Sequence, residues 1–157
     1  MAPVTRPPWE PPVAGTEAEQ LLGSLNRLRA TFRWKAGGLD ADGLRARVGA
    51  SSMTLGGLLK HLALVEDYYF TGRLAGEALG PPWDAADMEA DPDWEWRSAA
   101  EEAPERLYGL WDAAVERSRA KLAAALTDGG LDQPVSVGWP DGRSPSLRAA
   151  TTGAPST

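Results

Sequence analysis

Residues 52–66 read SMTLGGLLKHLALVE. Ser52 or Thr54 offers a hydroxyl that can cap a helix, and beyond it Leu55, Leu58, Leu59, Leu62, Val65, Tyr69 and Phe70 recur at the steps of three and four that keep side chains on one helical face. The pattern predicts a helix that runs out near Gly72 to Gly76. Inside it lies His61, the one histidine of the chain.

Working upstream, Thr16-Glu17-Ala18-Glu19 has the form of a capping box. Leu21, Leu25, Leu28 and Phe32 continue it as an apolar stripe, with Arg27, Arg29 and Arg33 off the stripe and solvent-facing, and Gly37-Gly38 supplies a stop. That is a first helix of about 20 residues, roughly 30 Å long. Gly43 and Gly49 mark the loop that joins it to the 52–66 helix. Ahead of it, Pro3, Pro7, Pro8, Pro11 and Pro12 surround Trp9, so residues 1–15 are expected to form an extended or disordered arm.

Working downstream, residues 80–97 carry Trp83, Trp94 and Trp96 among prolines and acids without a sustained period. This reads as a long ordered loop whose indoles cover a core edge or shape a pocket. Ser98-Ala99-Ala100-Glu101 is a second capping box, and Leu107, Leu110, Trp111, Ala114, Val115, Leu122 and Leu126 share one face as far as Gly129-Gly130. Pro104 fits there only in the first turn. Val135 to Trp139, followed by Pro140-Asp141-Gly142, reads as a short strand and turn. Ser144-Pro145-Ser146 resembles a helix start, yet an Ala, Thr, Gly and Pro tail follows it. The fold class is therefore all-α: three long amphipathic helices and an incomplete fourth, with 16–148 as the domain and 149–157 as a disordered tail.

A length of 157 residues fits one domain, and 43% hydrophobic with 24% charged residues is ordinary globular composition, which argues against wholesale disorder. No apolar run approaches the roughly 20 residues of a membrane span, and the arm lacks the apolar core of a signal peptide, so a cytoplasmic location without membrane contact is expected. A net charge of −6, with Asp84, Asp87, Glu89, Asp91, Asp93 and Glu95 clustered, has the wrong sign for tracking phosphates, and no nucleic-acid partner is expected. With no cysteine, disulfides, thiolate metal sites and a protein-borne catalytic thiol are excluded. Any thiol chemistry uses an external thiol.

Chemistry thus centres on His61. Positions three and four residues away are Gly57, Leu58, Leu64 and Val65, so a metal held there needs ligands from other helices. The alternative is an imidazole satisfied by a backbone carbonyl, a carboxylate or water. Glu66 and Asp67 serve either as partners of a site or as a solvated helix edge. Trp34 and Trp111, at or beside the stripes, read as core. No phosphate-binding loop, dinucleotide fingerprint or nucleophile elbow is present.

The stretches EQLLGSLNRLRATFRWK at 19–35, Gly38-Leu39 and SMTLGGLLKHLALVE at 52–66 closely resemble the DinB-like proteins. The branch they resemble contains the mycothiol-dependent maleylpyruvate isomerases and thiol S-transferases, and the likeness covers about residues 15–148. It implies an up-down-down-up four-helix bundle, often a homodimer, that holds a divalent metal such as zinc or nickel on three histidines. His61 matches the first of these. The other two belong to helix 4, where this sequence offers no counterpart, and Ser146-Leu147-Arg148 matches that helix's start. The resemblance thus implies a metal-dependent thiol S-transferase with mycothiol as the thiol and a small electrophile as substrate. Helix 4 reads as truncated and the activity as impaired. Trp83, Trp94, Trp96 and Trp139 would line the substrate pocket. Two further readings stand beside it: a non-catalytic helical interaction module that oligomerises through an open apolar face, and a small-ligand binder built on the tryptophan loop.

Overall fold

In the computed structural model, Pro7 and residues 10–152 are described. Helix α1, Glu17–Ala36, starts at the expected capping box: Glu19 N donates to Thr16 Oγ1 at 3.2 Å and Thr16 N to Glu19 Oε2 at 2.7 Å. It ends at Gly37, followed by Gly38 with φ 72°. Before it, the Pro12 carbonyl accepts a bond from Gln20 Nε2 at 2.8 Å, which fastens that part of the arm to α1. Trp9 lies outside the described residues.

The inward face of α1 differs from the expected stripe. Leu22, Leu25, Arg29, Phe32 and Ala36 face the interior, whereas Leu28 is 69% exposed. Arg29, expected in solvent, is buried because Glu66 of the next long helix is buried opposite it: its Nε and Nη2 reach Glu66 Oε1 and Oε2 at 2.7 and 2.6 Å. An uncompensated carboxylate in that position costs several kcal/mol. The fork therefore sets the rotation of α1 by one position. Trp34, on the far side, is 78% exposed and not in the core, while Trp111 is buried edge-on to Phe32, 5.1 Å between centroids.

A short helix α2, Ala41–Arg45, occupies the expected loop because Asp40 caps it through Gly43 N at 2.9 Å, and Leu44 anchors it in the core. Helix α3, Leu55–Glu66, is capped by Thr54 rather than Ser52, and continues into a π-helical segment, Asp67–Leu74. Its two early glycines answer to close packing. A Cβ on Gly56 would lie 3.1 Å from Leu107 Cδ1, and one on Gly57 only 2.7 Å from Trp96 Cε3.

The tryptophan loop holds a 3₁₀ turn, Trp83–Ala85, and a helix α4, Trp94–Ala99. The capping box expected at Ser98 does not form. Ser98 lies inside α4, where its hydroxyl donates to the Trp94 carbonyl at 2.6 Å. Helix α5, Pro104–Asp128, starts instead at Pro104, whose missing amide costs nothing at a first helical position. Leu107, Trp111 and Val115 join α5 to α1, α2 and α3, Leu110 and Ala114 meet Ala63 and Trp83, and Leu122 meets Leu74, Val135 and Leu147.

Residues 131–146 form no strand. Val135 N bonds the Pro145 carbonyl, while Ser136 and Val137 spend their amides on the Leu74 and Arg73 carbonyls at the π-helix end. Helix α6, Leu147–Thr152, follows. Residues 149–152, expected in the tail, are helical because Ser146 Oγ accepts from Ala149 N at 3.3 Å and Ala150 packs against the Leu122 cluster. Arg148 ties α6 to the start of α1 through Glu17, at 2.6 and 3.0 Å. Residues 153–157 lie outside the described residues. Three long helices and a short fourth, with the all-α class expected from the sequence, make an arrangement consistent with a four-helix bundle, and among the described residues no helix is long and apolar enough to cross a membrane.

Candidate functional site

Lys60 and His61 are neighbours on α3, so their side chains leave the axis about 100° apart. Lys60 turns inward and is 1% exposed. Its ammonium is held by Glu102, by Ser98 Oγ at 2.8 Å and by the face of Trp94, 4.3 Å from the ring centroid. Three partners on a buried ammonium offset the desolvation that would otherwise exclude it. Lys60 thereby locks α4 against α3.

Helix α4 then delivers its other face to His61. Glu95, itself buried, places Oε1 2.8 Å from His61 Nδ1, and Trp96 stacks on the imidazole with centroids 5.0 Å apart and planes at 22°. A carboxylate accepts hydrogen bonds, so in a neutral imidazole at this position Nδ1 carries the ring proton and Nε2 the lone pair. The His61 side chain is 37% exposed. The result is an imidazole fixed in orientation and tautomer yet open to small molecules. Glu95 Oε2 is buried with no hydrogen-bond partner among the described residues.

Two cavities lie along the same elements, one bordered by Trp96 and neither lined by His61 itself. A cleft of about 480 Å³ runs along Ser51, Ser52, Met53, Asp93, Trp96 and Arg97. Its polar groups are charged or hydroxylic, and Arg97 is paired with Asp91, which holds that carboxyl below its usual range. The second, about 430 Å³, lies further along α3 against Leu64, Val65, Tyr68 and Trp83.

Of the residues singled out from the sequence, His61 and Trp96 touch one another. Trp83 and Trp94 pack edge-on, 6.2 Å apart, with Trp94 under Lys60 and Trp83 lining the second cavity. Trp139 stacks under Arg143 at the turn after Gly138 and contributes to neither cavity. Glu66 and Asp67 are not a solvated edge. Glu66 is held by Arg29, while Asp67 takes Trp83 Nε1 at 2.7 Å and Arg117 Nε and Nη2 at 2.9 and 2.8 Å. That fork raises the Arg117 guanidinium above its ordinary value. Both carboxylates are occupied in holding helices together.

The metal implied by the resemblance needs three ligands. Among the described residues, no group of three His, Cys, Asp or Glu is placed to hold an ion, so the donors present do not by themselves fit one. Sequence reasoning missed Glu95, Lys60 and Glu102. Glu95 was indistinguishable there from the rest of its acidic run.

No curated protein and no solved structure matches the chain. Comparison with known families matches residues 20–153 to Mycothiol-S-transferase. That span reaches from the first turn of α1 to the end of α6 and includes the residues around His61, Glu95 and Trp96; the chain belongs to the mycothiol-S-transferase family.

Proposed function

We propose that this protein transfers a low-molecular-weight thiol to a small electrophile and that His61 activates the thiol. The observation that carries the reading is the half-exposed imidazole whose Nδ1 is fixed on buried Glu95 and whose ring lies on Trp96. A histidine held this way presents one directed lone pair, as a general base requires. The thiol proton passes to Nε2 and the sulfur lone pair forms the new S–C bond. The leaving group departs with its electron pair, or, on an activated double bond, the returning proton completes the addition. Because the chain has no cysteine, the sulfur comes from the co-substrate. The cleft of Ser51, Ser52, Asp93 and Arg97 beside Trp96 suits a hydroxyl-rich carrier such as mycothiol. His61 Nε2 is the nitrogen that would meet zinc or nickel if further donors came from outside the described residues.

The test is the initial rate of thiol consumption with mycothiol and an alkyl iodide, on the native protein and on His61→Ala and His61→Gln, with metal content measured on the same samples. Loss of about 100-fold or more in kcat/KM in both variants is expected, since general-base catalysis contributes at least that much. Unchanged rates would overturn the reading. Metal that is near-stoichiometric in the native protein and absent in both variants would make His61 a ligand instead of a base. The interaction-module reading is favoured by a different observation, the exposure of Leu28 and Trp34 on α1.

A further inference from the structure

We infer that the apolar cavity beyond His61 binds the body of the electrophile and selects substrates with a flat, apolar, aromatic group. This rests on the transferase reading above. His61, Leu64 and Val65 stand at i, i+3 and i+4 on α3, so they share one face, and Tyr68 of the π-helical continuation lines the same groove. The groove therefore starts one turn past the imidazole, about 6 Å along the helix. Its facing wall is Leu79, Trp83 and Met88. A volume of about 430 Å³ lies within the range of small-molecule sites.

The aromatic walls are held in place before any ligand arrives. Trp83 is 5% exposed and is fixed by its Nε1 bond to Asp67 and by its edge contact with Trp94. The Tyr68 hydroxyl receives Arg73 Nε and Nη2 at 3.2 and 2.7 Å. Rigid aromatic surfaces bind flat apolar groups with little loss of side-chain freedom. A charged group pushed between Leu64, Val65, Leu79 and Met88 loses its water and meets no charged side chain there, the tyrosine hydroxyls of Tyr68 and Tyr69 being the polar groups of the lining, so the groove discriminates as well as attracts. The opposite cleft, with its serines, Asp93 and Arg97, has the complementary chemistry. The sulfur of a thiol seated on the Trp96 side then meets a carbon presented from the Val65 side, at His61.

Iodoacetanilide and iodoacetamide carry the same reacting carbon and differ by a phenyl ring. In both, the thiol proton goes to His61 Nε2, the S–C bond forms and iodide leaves with the electron pair. With mycothiol as co-substrate, kcat/KM corrected for the uncatalysed rates is expected to favour iodoacetanilide by about tenfold or more. Val65→Asp and, on the other wall, Met88→Asp are each expected to abolish that preference, while Trp34→Ser keeps it. Helical circular dichroism identifies a variant that has not folded, and the two walls give independent chances. No preference in the native protein, or a preference that survives in a folded wall variant, overturns the assignment. If the native protein speeds the alkylation of mycothiol by neither compound beyond the uncatalysed rate, the transferase reading has failed. The groove is then judged by quenching of tryptophan fluorescence with unreactive acetanilide. Binding weakened about tenfold by Val65→Asp supports an apolar aromatic site, and equal binding overturns it.

Discussion

An imidazole in water rotates freely and shares its proton between two nitrogens, so a solvent-facing histidine offers no directed lone pair. Here the Glu95 carboxyl, 2.8 Å from Nδ1, and the plane of Trp96 remove both freedoms. Glu95→Gln keeps the shape but presents an amide that satisfies either tautomer. Its expected effects are loss of the downfield Nδ1 proton signal in NMR and a kcat lower by about tenfold or more, with KM nearly steady and the thermal midpoint little changed. An intact signal with full activity would remove Glu95 from the positioning role. His61 was visible in the sequence because it is the one histidine, in a recognisable helix. Glu95 was not, because 34 positions separate the two and one acid in an acidic run carries no local mark. The tryptophans show the same limit. Trp34 and Trp111 lie equally near apolar stripes, and only the facing Phe32 makes Trp111 core.

Where a helix begins is written in its caps, and α1 and α3 could be placed from Thr16 and Thr54 with few errors. Which way a helix faces depends on its partners. The inward turn of Arg29 follows from Glu66, 37 positions away, and no periodicity within α1 reports it. Likewise Ser98 bears a capping sequence but answers to Lys60. Helix α6 is held by similar distant terms. The Arg148 fork holds the Glu17 carboxyl below its ordinary value of 4.5, while Glu17 and Asp132 raise Arg148. A carboxyl with a depressed folded pKa stabilises fully above its unfolded value, and that contribution disappears as pH falls through the folded one. Amide exchange in Leu147–Thr152, corrected for intrinsic rate, is therefore expected to quicken as pH drops below 4.5. Glu17→Gln should show the faster exchange already at neutral pH. Equal protection in both proteins would mean that the Glu17 clasp does not hold α6.

Across the molecule, an acidic surface is interrupted on α1 by Leu28 and Trp34, 69% and 78% exposed. Exposed apolar side chains on the outer side of α1 favour self-association, and sedimentation should give a mass above 16.7 kDa that rises with concentration. The double variant Leu28→Lys, Trp34→Ser is expected at the monomer mass throughout, and no difference between the two proteins would leave that side unpaired. Because His61 and both cavities lie on α3, α4, the loop before α3 and the segment between the two helices, the variant should keep its transfer rate.

The clasp between Glu17 and Arg148 joins positions 131 residues apart. A chain is made from its amino end, so α1 emerges long before α6 exists to meet it. Leu22 and Leu25 close against the Leu147 cluster only after more than a hundred further residues have been synthesised. Until then that end of α1 keeps part of its apolar surface open, the kind of surface a nascent-chain chaperone encounters.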